Sequence, residues 1–180
     1  MSDDEDTGRP VLRIAGPDDA VALMRLKQRL DEETSFMLLE PGERDTSIQN
    51  LTRHLEEVSG SENSVVIVAD RRGDLAGYVE LVGGKFRRNR STTHVVIGVL
   101  AEASGKGVGA GLLEAAKRWA TARGLRRIEL NVMARNHRAI ALYERVGFVH
   151  EGRRVDCLLI DGKFLDELYM AMILPGSLSP

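Results

Sequence analysis

Residues 104–109 read Ser-Gly-Lys-Gly-Val-Gly, between the apolar run "HVVIGVLA" and an amphipathic one. Alternating glycines remove the side chains that keep an anion away from a backbone. A helix beginning here would add orphan N–H groups and partial positive charge. The chemistry on offer is a cradle for phosphate or pyrophosphate, and Lys106 can add charge to it. A nucleotide P-loop needs a lysine and then a hydroxyl directly after the last glycine. Here Lys106 follows the first glycine and Ala110 the last, so that reading fails. A dinucleotide fingerprint needs G-x-G-x-x-G after the first strand of a βαβ unit. Gly105, Gly107 and Gly109 have the wrong spacing, and the three strands before them read as an antiparallel meander. The plain structural alternative is a tight strand-to-helix turn that requires glycine torsions.

Other residues carry groups that could act on a bound ligand. Tyr143 is protonated at neutral pH and can donate a proton. It lies on the stripe Ala139, Leu142, Tyr143 and Val146, so spacing alone equally describes a core aromatic. His94 has the titration range of a general base, and Glu80 and Glu129 offer carboxylates. Gly98 interrupts a β-branched run, which marks a bulge or a close backbone approach. Asn136 is an N-cap candidate.

The elements that position these groups follow from periodicity and turn signals. "VLRIA" (11–15) is a short strand. Pro17, Asp18 and Asp19 open a helix over 17–32. A second helix runs through "TSIQNLTRHLEEV". "SVVIVAD" (64–70), "LAGYVELVGG" (75–84) and "HVVIGVLA" (94–101) are strands, with a basic loop, "KFRRNR" (85–90), before the last. A helix starting at about 107 ends near Gly124. "RRIELNV" (126–132) is the fifth strand. A ten-residue helix follows Asn136, with Gly147 in the C′ position. Two final strands are joined through "DGK", a hairpin turn signal. The order β-α-α-β-β-β-α-β-α-β-β describes a mixed sheet with helices packed on it.

The chain has 180 residues, enough for one domain with a full core. We read 11–174 as that domain, 1–10 as a disordered tail and 175–180 as a loose one. The hydrophobic fraction is 43% and the charged fraction 29%, with 25 basic and 27 acidic residues and a net charge of −2. That balance gives no basic surplus for nucleic acid. Cys157 is the single cysteine, so no disulfide forms within the chain, and a reducing compartment is expected. No apolar stretch approaches the roughly 18 residues that cross a bilayer. "MSDDEDTGRP" is acidic, the opposite of a signal peptide. The expectation is a cytoplasmic protein that touches no membrane.

The glycine stretch, the segment "NHRAIALYERVGFVHEG" and the closing "DGKFLDELYMAM" together resemble the GCN5-related N-acetyltransferase (GNAT) superfamily. The glycine stretch matches its [Q/R]-x-x-G-x-[G/A] signature at every position but the first. The helix segment matches N-x-x-A-x-x-L-Y-x-x-x-G-F-x-x-x-G. The closing hairpin is similar to that of members acting on protein N-termini, amino acids and other small amines. The resemblance covers roughly 11–174. It implies the GNAT fold: an α/β (α+β) architecture with a mixed, largely antiparallel sheet of six to seven strands, splayed between strands 4 and 5 and flanked by about four helices.

The resemblance further implies acetyl-CoA as co-substrate, a primary amine as acceptor and no metal. Ile97, Gly98 and Val99 would pair with the pantetheine arm. Ser104, Gly105, Lys106, Gly107, Val108, Gly109 and Ala110 would hold the pyrophosphate. Asn136 would touch the coenzyme, and Tyr143 would protonate the leaving thiolate. Position 104 departs from the pattern, with Ser in place of Arg or Gln. Some ribosomal-protein acetylating members carry a glutamate base that aligns with Asn131, which cannot be one. His94 and Glu80 are therefore the base candidates. The acceptor side is assigned to residues 31–45 and the loop 83–93. "KFRRNR" is either a solvated face or a contact for an acidic substrate or the coenzyme's 3′-phosphate. The resemblance allows a homodimer. The alternative function is a non-catalytic acyl-CoA-binding module.

Overall fold

The structure, a computed structural model, describes residues 9–175. Of the expected tails, 1–10 and 175–180, residues 1–8 and 176–180 lie outside the described residues. Seven strands form one sheet: β1 (Val11–Ile14), β2 (Val65–Arg71), β3 (Asp74–Gly83), β4 (Thr92–Val99), β5 (Arg127–Met133), β6 (Val149–Ile160) and β7 (Lys163–Ile173). Their spatial order is β1-β2-β3-β4-β5-β7-β6. Four helices flank them: α1 (Ala20–Glu33), α2 (Ile48–Ser59), α3 (Val108–Ala122) and α4 (His137–Val146). Order and number follow the sequence reading, and the sheet is the mixed, mostly antiparallel one that the resemblance implies.

Two cores lie on opposite faces of the sheet, as alternation of strand side chains dictates. Val65, Ile67, Val79, Leu81 and Val95 face α3 and α4, where they meet Leu112, Leu113, Ala116 and Val146. Val66, Val68 and Tyr78 face the other way, against Leu23, Leu26 and Leu30 of α1 and Leu55 of α2. The continuous apolar runs of β2 and β3 are what burial on both faces requires.

The single parallel pair shapes the molecule. β4 and β5 are in register only from Thr92–Arg127 to His94–Glu129. Beyond His94 the two strands have no ladder in common. β4 continues to Val99 against β3 alone, and β5 continues to Met133 against β7. The sheet therefore opens between β4 and β5, at the C-terminal end of β4, where the glycine loop leads into α3.

Candidate active site

A cavity of ≈ 770 Å³ fills this opening, within the usual size range of small-molecule sites. One wall is β4, from His94 to Val99, and the other is Asn131, Val132 and Met133 of β5. Leu30 and the segment after α1 close one side. Ser104, Gly105, Gly107, Gly109, Ala110 and the start of α4 form the mouth.

The loop has the backbone that its glycines suggest. Gly105 (φ 79°) and Gly107 (φ 81°) are left-handed, a region costly for residues with a Cβ. Gly107 is the N-cap of α3. The first bond of that helix runs from the Gly111 N–H to the Gly107 carbonyl at 2.9 Å. Among the described residues, none of the amides of 105–110 donates to a protein acceptor. A Cβ on Gly109 would stand 3.1 Å from Leu142 Cδ2, so the groove between α3 and α4 stays narrow and backbone-lined. Two residues in the stretch behave otherwise. Lys106 is exposed and is absent from the cavity wall. Val108 is 6% exposed and belongs to the core, so only its backbone faces the loop.

Gly98 forms no bulge: it sits in regular register opposite Tyr78. A Cβ there would lie 2.5 Å from Leu30 Cδ1 and 3.1 Å from the Tyr78 ring. The close approach inferred from sequence is thus made by α1 of this chain itself. Ile97 and Val99, on the opposite strand face, pack against the α3 core while their backbone borders the cavity.

Asn136 caps α4, its Oδ1 accepting from the Ala139 N–H at 3.2 Å. Two turns on, Tyr143 is 8% exposed. Its ring meets Phe148 edge-to-face at 5.8 Å, yet it also lines the cavity. Tyr143 is thus both a core aromatic and a cavity-lining residue. Its hydroxyl has no hydrogen-bond partner among the described residues, and burial pushes its pKa up to about 12. It is a proton donor throughout the physiological range.

The two base candidates separate. His94 lines the cavity and is half-buried. Desolvation pulls its pKa below the ordinary imidazole value, partly opposed by Glu129 and Glu167. It is neutral at pH 7 and can accept a proton. Glu80 is absent from the cavity wall and lies buried beneath α1 and α2. Its Oε2 is 3.1 Å from Lys27 Nζ, and its Oε1 is 2.6 Å from His54 Nε2. Burial by itself would raise its pKa. The His54 hydrogen bond and the Lys27 charge outweigh it and bring the carboxylate to about 2. A carboxylate so stabilised is a poor base. Its network instead supports the acceptor side, together with Asp31, which Arg44 grips at 2.6 and 2.7 Å. Glu129 is likewise engaged, by Arg127 at 2.7 Å.

Of the two stretches expected on the acceptor side, only the first borders the cavity. Thr34, Phe36, Met37 and Leu38 line the cavity, whereas no residue of 83–93 does. "KFRRNR" precedes β4, at the opposite end of an eight-residue strand from the glycine loop, some 25 Å away at about 3.3 Å per residue. It cannot reach a phosphate held at that loop. The sequence reading passed over Arg138. It lies two residues after the cap, at i and i+4 with Leu142, and lines the mouth. Its Nη2 is 3.3 Å from where a Cβ on Gly105 would sit.

The model of the acetyltransferase (GNAT) family matches residues 24–148. The chain belongs to the GNAT acetyltransferase family. A GNAT-family acetyltransferase from Streptococcus pneumoniae superposes with a TM-score of 0.88 and 30% identity, covering 92% of this chain and 99% of that one. The spermidine N(1)-acetyltransferase of Vibrio cholerae is 29% identical over 134 residues, 73% of this chain and 75% of its own length. A phosphinothricin acetyltransferase from Sinorhizobium meliloti, solved in complex with acetyl-CoA, shares the GNAT fold with a TM-score of 0.79 at 22% identity over 94% of each chain.

Proposed function

We propose that this protein is an N-acetyltransferase that moves an acetyl group from acetyl-CoA to a primary amine by direct attack. The observation that carries the reading is the opening between β4 and β5. It joins a row of undonated amides (105–110) to an unpartnered, protonated phenol on Tyr143. That is a pyrophosphate cradle at one end and an acid at the other. The unpaired edge of β4 beyond His94 suits an extended amide-bearing arm, in the manner of an added strand. Along that edge a backbone N–H can polarise a thioester carbonyl.

Chemically, the amine lone pair forms the new C–N bond and the C–S bond breaks. His94 accepts the amine's proton, and Tyr143 gives its proton to the departing thiolate. The side of the cavity lined by Phe36, Met37 and Leu38 receives the acceptor. Peptide N-termini, amino acids, polyamines and other small amines are the candidate class, and a relative named as a spermidine acetyltransferase supports the polyamine member. We place the enzyme in the cytoplasm, and we take 11–174 as one domain. Ser104 and Asn131 keep a second reading, a non-catalytic acyl-CoA-binding module, in view.

His94→Gln tests the base. General acid–base groups contribute about 10²–10⁴-fold, so kcat/KM at pH 7 falls about 100-fold. The loss narrows at high pH, where the amine is already deprotonated. The acidic limb of the pH–rate profile, set below the ordinary imidazole range by desolvation, disappears. An unchanged profile removes His94 from the mechanism.

A further inference from the structure

The cradle lacks the long donor that the family signature places at its first position. Ser104 stands there, and Lys106, the one cation within the stretch, is exposed and off the cavity wall. An anion with two phosphoryl groups would meet backbone amides and no side-chain charge from this loop. The opposite side of the mouth supplies one. Arg138 projects from the first turn of α4, and its Nη2 stands 3.3 Å from the Cβ position of Gly105.

Arginines on β5 and β6 are engaged, Arg127 by Glu129 and Glu151, Arg153 by Asp166 and Arg154 by Glu167, and the two that line the cavity are Arg138 and, two turns further along α4, Arg145. Among the described residues Arg138 has no ion-pair partner. We propose that Arg138 is the pyrophosphate-binding cation of this enzyme, supplied across the groove from α4 in place of the missing residue at 104. The proposal rests on acetyl-CoA being the ligand of the loop.

The chemistry suits the position. A guanidinium presents a planar fork that meets phosphate oxygens with two parallel N–H bonds. The N-terminus of α3 and that of α4 both face the same mouth, and their partial charges add to that of Arg138. Glycine at 105 also leaves the guanidinium room, because any side chain there would press against it at 3.3 Å.

Calorimetric titration of CoA into the native chain and its variants tests the assignment. Arg138→Ala weakens CoA binding about ten-fold at low salt, the size of one charge-assisted hydrogen bond, and less at high salt. Arg138→Lys retains part of the affinity, and Lys106→Ala costs less than Arg138→Ala. Ser104→Arg gains at least three-fold more in the Arg138→Ala background than in the native chain, because it restores the charge from the other side. Dephospho-CoA shows the same native-to-variant ratio as CoA. If CoA binds the native chain and Arg138→Ala within two-fold, the proposal is wrong while the coenzyme reading stands. If the ratio vanishes with dephospho-CoA, Arg138 serves the 3′-phosphate and the proposal is overturned. If the native chain binds no CoA, the underlying reading fails and the proposal with it.

Discussion

Tyr143→Phe lowers kcat about 100-fold and leaves the dissociation constant of acetyl-CoA within two-fold. The expectation follows from where the hydroxyl sits. The ring is core, packed against Phe148, and phenylalanine keeps that packing. The hydroxyl has no partner within the described protein, so removing it leaves no buried group unsatisfied and Tm does not fall. What is lost is the proton for a leaving thiolate. With its pKa pushed up to about 12 by burial, the phenol stays protonated at any assay pH near neutrality. Loss of a positioned general acid costs about 10²–10⁴-fold. Steady-state rates with several amines, paired with calorimetry for acetyl-CoA, separate the two effects. Unchanged turnover would falsify the role of Tyr143.

Glu80→Ala produces the largest expected effect on stability. Its carboxylate faces Lys27, whose side chain is 11% exposed, and the ammonium also lies 4.8 Å above the Tyr78 ring. Removing the carboxylate strands that ammonium in the core, which costs about 3–5 kcal/mol. In a chain of this size Tm drops by roughly 10 °C.

The pH dependence has two sides. The folded-state pKa of Glu80 is depressed to about 2 from the ordinary glutamate value of 4.5. Its contribution is therefore present above about 4.5 and is lost as pH falls towards 2. His54 is shifted the other way, raised chiefly by its hydrogen bond to Glu80. Its contribution is complete below the ordinary imidazole value and fades as pH rises through the elevated one. Native Tm accordingly declines as pH climbs above neutrality, and His54→Asn flattens that slope. Differential scanning calorimetry from pH 3 to 9 checks both. A Glu80→Ala chain as stable as the native one would contradict the account of this network.

What the sequence reveals and what it hides divide along physical lines. The loop at 104–109 was legible because left-handed torsions demand glycine locally, and Gly105 and Gly107 adopt them. The cap at Asn136 and the Asp161-Gly162 turn, both residues at positive φ, are equally local. Residues whose meaning depends on distant partners were not legible. Glu80 looks like a free strand carboxylate until α1 and α2 bring Lys27 and His54 onto it, 53 and 26 residues away. Gly98 signals a close approach, but nothing in its strand says that Leu30 makes it. Arg138 is an ordinary exposed helix residue until α4 docks beside the loop. The basic hairpin at 85–90 carries the most conspicuous charge in the chain, yet the topology sends it to the far end of β4.

The central claim is amine-dependent acetyl transfer, and thiol release reports it directly. The native chain is incubated with acetyl-CoA and, separately, spermidine, a peptide with a free N-terminal alanine and a mixture of amino acids. Free CoA thiol and acetylated product are then quantified together. The account predicts thiol release that depends on at least one amine and matches the acetylated product one for one. Saturable binding of acetyl-CoA with no thiol released above the amine-free rate would contradict it and leave an acyl-CoA-binding module.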